Sequence, residues 1–216
     1  SRQGNILFDP IYSDRASPVP FIGPKRVHPP GIAFPMLPKV DVVLVSHNHY
    51  DHMDMSTLQS LDNKFHPLFI VPLGNKVVFK HYGIRNVEEL DWWEKSKSSP
   101  ISITFLPAHH TTQRGLMDFN RTLWGSFGVI LEGKKLYFAG DTSYREHFKT
   151  IHNRWGTPFF SMLPIGAYEP RKLCKEHHMN PNEAVKAHLD LGSTYSLGIH
   201  WGTFQLSTEA LDQPVK

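Results

Sequence analysis

A single cysteine, Cys174, leaves no partner for an internal disulfide, and this usage fits a reducing compartment. No apolar run approaches the roughly 20 residues that a membrane-spanning helix needs, and no signal peptide opens the chain. Lys and Arg total 23 against 20 Asp and Glu, a net charge of +3 with no basic block, so no nucleic-acid partner is expected. Internal repeats and low-complexity tracts are absent too. These absences leave an intracellular protein, cytoplasmic or peripherally membrane-associated, whose 216 residues suffice for one domain with a real core. The chain opens at Ser1 without Met and runs almost at once into a strand-like segment, so it reads as a fragment or a processed form.

What the chain has in excess is histidine, 14 in all. Three of them fall in SHNHYDHMD, residues 46–54, together with Asp51 and Asp54, directly behind the apolar run VDVVLV. A buried strand has no use for such a tip, and a turn needs only one or two polar residues. Three other apolar runs also end in a residue able to bind metal: ITFLPAH at His110, LYFAG at Asp141 and SLGI at His200. Strand ends of a layered α/β fold gather on one rim, where sites are built. His47 and His49, two apart, point the same way on extended backbone, whereas Asp51 and His52 follow a turn, a separation that suits two neighbouring metals. Imidazole and carboxylate without thiolate suit catalytic Zn²⁺ with open positions; Mn²⁺ and Fe²⁺ use similar ligands. Without metal, the same residues would form a self-satisfied polar network.

The rest of the chain reads as mixed α/β. Strands are expected at NILF (5–8), VDVVLV (40–45), LFIVP (68–72), ISITFLP, GSFGVILEGKKLYFAG as a hairpin, FFSMLPIG and TYSLGI. Helices are expected after Asp54 or Ser56, over 74–83, and from the Asn180, Pro181, Glu183 start to Gly192. Residues 9–38 carry eight of the 17 prolines and read as a long rigid loop. Its Ile11, Phe21, Ile22, Ile32, Phe34 and Met36 are candidates to meet the apolar part of a ligand, and Lys25, Arg26 and His28 to meet an anionic group.

His47-x-His49-x-Asp51-His52, with a later His, an Asp and a His each behind a strand, resembles the metallo-β-lactamase superfamily. LFDPIYSDRASP, FIGPKR, SHNHYDHMD, LMDFNRTLWGSF, FAGDTSY, PIGAYEPR and IHWGTF are similar to the N-acyl-phosphatidylethanolamine-hydrolysing phospholipase D family and its bacterial relatives, over nearly the whole chain. The resemblance implies an αββα sandwich, a single hydrolase domain over 1–216, and two zinc ions. One would take His47, His49 and His110, the other Asp51, His52 and His200, with Asp141 between them. His109 and His110 compete for one place, and the family pattern selects His110. Asp9 matches an acid near the family's site, while Tyr50 and His178 match substrate contacts. Asp51 would orient the attacking water, and His178 would help neutralise charge on the phosphoryl oxygens.

The implied products are an N-acylethanolamine and phosphatidic acid, with a phospholipid substrate, peripheral membrane association and a homodimer. The family also carries one or more strands upstream of Asn5 that this sequence does not contain; they bear on a sheet edge, the dimer contact and the membrane-facing surface. Two alternatives share the fold: a hydrolase of another small ester, lactone or phosphodiester, and a scaffold without catalysis. A scaffold should show gaps among its ligands, and all seven are in place.

Overall fold

The computed structural model describes residues 4–216. Four strands, β1 (Ile6–Phe8), β2 (Val42–Leu44), β3 (Leu68–Pro72) and β4 (Val87–Leu90), form an all-parallel sheet in that order. The second sheet runs β5 (Ser102–Leu106), β6 (Ser126–Leu131), β7 (Lys134–Phe138), β8 (Phe160–Pro164) and β9 (Tyr195–Ile199). Only β6 runs against its neighbours, so β5, β7, β8 and β9 all point the same way.

Alternation along β2 shows how the layers arise. Val42 and Leu44 face the second sheet and join Ile103, Phe105, Phe127 and Phe138 in a core between the sheets. Val43 and Val45 point to the other side, against Leu58 and Leu61 of α1 (Met55–Phe65) and Phe79 of α2 (Lys76–His81). A third cluster joins Tyr137 and Leu163 of the second sheet to Phe148 and Ile151 of α3 (His147–Trp155) and Ala184, Ala187 and Leu191 of α5 (Pro181–Leu191). A strand that is buried on both faces reads as a continuous apolar run, as VVLV (42–45) does. The result is the expected αββα sandwich.

The capping box at α5 forms as its sequence predicts: the Asn180 side chain accepts from the Glu183 N–H, and the Glu183 carboxylate accepts from the Asn180 N–H. Asp54 stands at the N-cap of α1, but its carboxylate caps nothing. It accepts instead from the Ser13 N–H at 3.1 Å and the Thr57 hydroxyl at 2.5 Å, tying the proline-rich loop to α1. Strand β4 and helix α3 carried no clear signal. Glu88 and Glu89 interrupt the one, and the other buries only Phe148 and Ile151. The short α4 (Arg171–Cys174) likewise had none. Among the described residues, no helix is long and apolar enough to cross a membrane.

Candidate metal centre

Parallel strands end on the same edge, and there the site is assembled. Asp9 follows β1, His47 follows β2, His110 follows β5, Asp141 follows β7 and His200 follows β9. Ligating atoms of His47, His49 and His110 lie within 4.8 Å of one another, and so do those of Asp51, His52, Asp141 and His200. Asp141 stands between the groups: Oδ2 is 3.2 Å from His52 Nε2 and 3.8 Å from His110 Nε2, and Oδ1 is 3.3 Å from His200 Nε2. His109 turns away, its Nδ1 on the Glu176 carbonyl and the Ser143 hydroxyl, so of the two competing histidines His110 is the one at the cluster.

Hydrogen bonds behind the cluster decide which ring nitrogens carry lone pairs. His110 Nδ1 lies 3.0 Å from the His177 carbonyl, which can only accept, so the proton is on Nδ1 and Nε2 faces inward bare. His52 Nδ1 donates to Asp9 at 2.7 Å, which turns Nε2 inward. Asp9 also accepts from the Ser46 hydroxyl at 2.6 Å, which must therefore accept from His47 Nδ1 at 2.9 Å. One carboxylate thus orients two rings, the arrangement by which outer groups aim metal ligands. Asp9 itself adopts a left-handed φ of 41°, and His200 one of 60°. Such strain in non-glycine residues persists where surrounding structure over-determines it, often at functional sites.

The inward nitrogens of His47, His52 and His110 converge on the carboxylates of Asp51 and Asp141, whose ion-pair partners among the described residues are histidines and not Lys or Arg. His52 Nε2, Asp141 Oδ1, His178 Nδ1 and His200 Nδ1 are buried without hydrogen-bond partners. Although burial opposes it, Asp141, Asp51 and Asp9 together push His52 well above the ordinary histidine range. Asp51 and Asp141, against the same opposition, are held well below the usual carboxylate range, Asp51 first by His52 and Asp141 first by His200. Burial holds His47, His49 and His110 down, as neutral ligands require. The residues present fit a cationic metal centre in charge, tautomer and spacing.

The close approach of two strand ends depends on Gly140. Its φ is +59°, and a Cβ there would meet the Ser46 Cβ at 2.6 Å. Gly140→Ala is expected to cost about 2–4 kcal/mol, from the left-handed penalty plus overpacking, measured by denaturant unfolding. Gly133→Ala is the control: its φ is +76° but open space surrounds it, so only the backbone penalty applies.

His178 reaches the same focus, its Nδ1 3.9 Å from Asp141 Oδ2 and its ring stacked on His200. Tyr50 instead faces a separate groove with Arg114, and its hydroxyl donates to the Arg114 carbonyl at 2.8 Å. Beside the second group, a cavity of about 400 Å³ is walled by Ile6, Phe8, Ile11, Phe138, Met162 and Ile199, and opens on Asp51, His52 and His200. Of the loop residues singled out above, Ile11 lines this cavity, and Phe34 packs on the core beneath α1. Phe21, Ile22, Ile32 and Met36 are exposed. Arg26 is committed inside the molecule, donating to the Ile11 and Ser13 carbonyls and lying over Phe204, rather than offered to headgroups. Ser46 and Arg114 carried no signal as single residues in the sequence.

Residues 4–201 match the Beta-lactamase superfamily domain, and the chain belongs to that superfamily. It is 43% identical over 214 residues to N-acyl-phosphatidylethanolamine-hydrolyzing phospholipase D 1 of Caenorhabditis elegans, covering 94% of this chain and 60% of that protein. It is 40% identical over 216 residues to the mitochondrial N-acyl-phosphatidylethanolamine-hydrolyzing phospholipase D of Saccharomyces cerevisiae, covering 97% of this chain and 46% of that protein. The chain therefore spans about half to three-fifths of the length of these relatives. A possible metal-dependent hydrolase from Veillonella parvula shares the fold, with a TM-score of 0.69 at 15% identity over 94% of this chain and 80% of that one.

Proposed function

We propose that the chain is the hydrolase unit of a zinc-dependent phosphodiesterase of phospholipase D type. It cleaves N-acyl phosphatidylethanolamine to an N-acylethanolamine and phosphatidic acid. The observation that carries this reading is the paired ligand groups joined by Asp141, in a chain 43% and 40% identical to enzymes named for that reaction. His47, His49 and His110 would hold one ion, Asp51, His52 and His200 the other, with Asp141 shared. Two such ions would lower the pKa of a water toward about 7 and stabilise charge on the phosphoryl oxygens.

The chain's own residues do the remainder. Asp51, with one oxygen 3.2 Å from both His52 and His200, is placed to accept a hydrogen bond from the attacking water and so orient it. Asp9 touches neither substrate nor water in this scheme; it holds the His52 ring and, through Ser46, the His47 ring. Burial pushes His178 down to about 4, so it meets the phosphodiester as a neutral imidazole offering an N–H, not a charge. The attacked P–O bond is the one to the ethanolamine oxygen, which leaves with the N-acyl group. The apolar cavity beside Asp51, His52 and His200 suits an acyl chain. Tyr50 would act on substrate from the neighbouring groove, and a phospholipid substrate implies peripheral contact with a membrane surface.

Elemental analysis of the purified chain, with turnover of N-acyl phosphatidylethanolamine, a simple phosphodiester and an acyl lactone, tests the reading. About two zinc ions per chain and preference for the phospholipid are expected. Faster turnover of the lactone would move the chain to another hydrolase of the same fold.

A further inference from the structure

The ligand loop is gripped from outside by a residue that no ligand touches. Arg114 Nη1 donates to the Asn48 carbonyl at 2.8 Å and to the Met53 carbonyl at 2.8 Å. Those two carbonyls bracket residues 49–52, which hold His49, Asp51 and His52. Within the bracket the chain closes one turn of its own, the N–H groups of His52 and Met53 both reaching the His49 carbonyl. The grip is mutual: the Tyr50 ring lies under the Arg114 guanidinium at 4.1 Å, and the Tyr50 hydroxyl donates to the Arg114 carbonyl at 2.8 Å.

Arg114 comes from a loop with its own frame. Asp118 accepts from the N–H groups of Arg114 and Gly115, and Asn120 pairs with Thr112 through both backbone and side chain. That loop contributes no member to the ligand groups. A planar guanidinium can place two hydrogens of one nitrogen on two carbonyls at once; an ammonium on a flexible stem does so poorly. Burial draws the Arg114 guanidinium below its ordinary range, so the charge is held there at some cost. Tyr50, Asp54 and Asp118 favour that charge, while its Nη1 hydrogens are spent on carbonyls of the ligand loop.

We infer that Arg114 and Tyr50 form a clasp that positions His49, Asp51 and His52, making Arg114 a positioning residue for both ligand groups. The inference rests on the metal-centre reading above. It also gives Tyr50 a structural partner in addition to any contact with substrate.

Arg114→Met keeps the length of the side chain and removes both hydrogen bonds; Tyr50→Phe removes only the hydroxyl bond and keeps the ring. Zinc affinity is measured by competition with a chromophoric chelator, alongside kcat and KM for a soluble phosphodiester and the melting temperature of the metal-free chain. For Arg114→Met, zinc affinity is expected to weaken about 10–100-fold, the usual effect of losing an outer partner of a metal site. kcat falls with it while KM stays near wild type. Arg114→Lys recovers part of both, and Tyr50→Phe shows a smaller loss in the same direction.

Zinc affinity within about twofold of wild type in both Arg114→Met and Tyr50→Phe overturns the clasp. So does a loss in Arg114→Met explained by unfolding of the metal-free chain, with Tyr50→Phe unchanged. A wild-type chain that binds zinc yet leaves every phosphodiester intact sinks the phosphodiesterase reading alone, and zinc affinity still judges the clasp. A wild-type chain that binds no zinc overturns both.

Discussion

Asp141→Asn is expected to reduce turnover of the phosphodiester on the order of 10³-fold and to lower zinc content below that of the wild-type chain. The shape of the side chain survives the change, but its charge and one acceptor oxygen do not. Metal-assisted stabilisation of a phosphoryl transition state is worth several kcal/mol, and each ~1.36 kcal/mol is tenfold in rate. Asp141 stands 3.2 Å from His52 in one group and 3.8 Å from His110 in the other, so both groups lose their common carboxylate. Elemental analysis with steady-state kinetics reads both losses. Full turnover with undiminished zinc would show that the shared carboxylate has no part in the chemistry.

Stripping the metal is expected to reverse the alkaline behaviour of the fold. In the metal-free chain the folded-state pKa values of His52 and His200 lie above 6.5, because Asp141 and Asp51 favour their protonated forms despite burial. A raised pKa means stability that is fully present below 6.5 and is lost as pH climbs through the folded value. His47, His49 and His110 are shifted the other way and release no further proton in that window. Asp51 and Asp141 lose their contribution only in acid, below 3.8. The melting temperature of chelator-treated protein should therefore fall as pH is raised from about 6.5 into the alkaline range. Zinc-loaded protein has no such protons to lose and should hold its melting temperature over that range. Parallel curves for the two forms would mean that metal and proton do not compete for the same nitrogens.

Much of the site was legible because its residues interrupt patterns. Polar, ligating side chains directly behind the apolar runs of VDVVLV, LYFAG and SLGI break the pattern that precedes them, so each marks a strand end that serves another purpose. Two expectations near the site changed on folding. Asp54 bonds Ser13 and Thr57 instead of capping α1, because the proline-rich loop brings a free N–H within its reach. Arg26 is drawn inward by the carbonyls of its own loop. Strand β4 was missed because Glu88 and Glu89 erase the apolar run that marks its neighbours; at the sheet edge they point to opposite faces, where Glu89 accepts from the Lys76 N–H and Glu88 from the Lys97 N–H.

Residue order alone determined the alternation that splits Val42 and Leu44 from Val43 and Val45, and hence a sheet covered on both sides. It also determined which side chains able to hold a metal stand at strand ends. Tertiary structure decided how those ends are wired: Asp9 to His52 across 43 positions, His200 to Asp51 across 149, and Arg114 to Met53 across 61. Local periodicity reports only on neighbours a few residues away, whereas crossover connections bring these partners within hydrogen-bond reach. The inward lone pairs of His47 and His110 are properties of that wiring, since a ring's tautomer is chosen by whatever the fold places behind it.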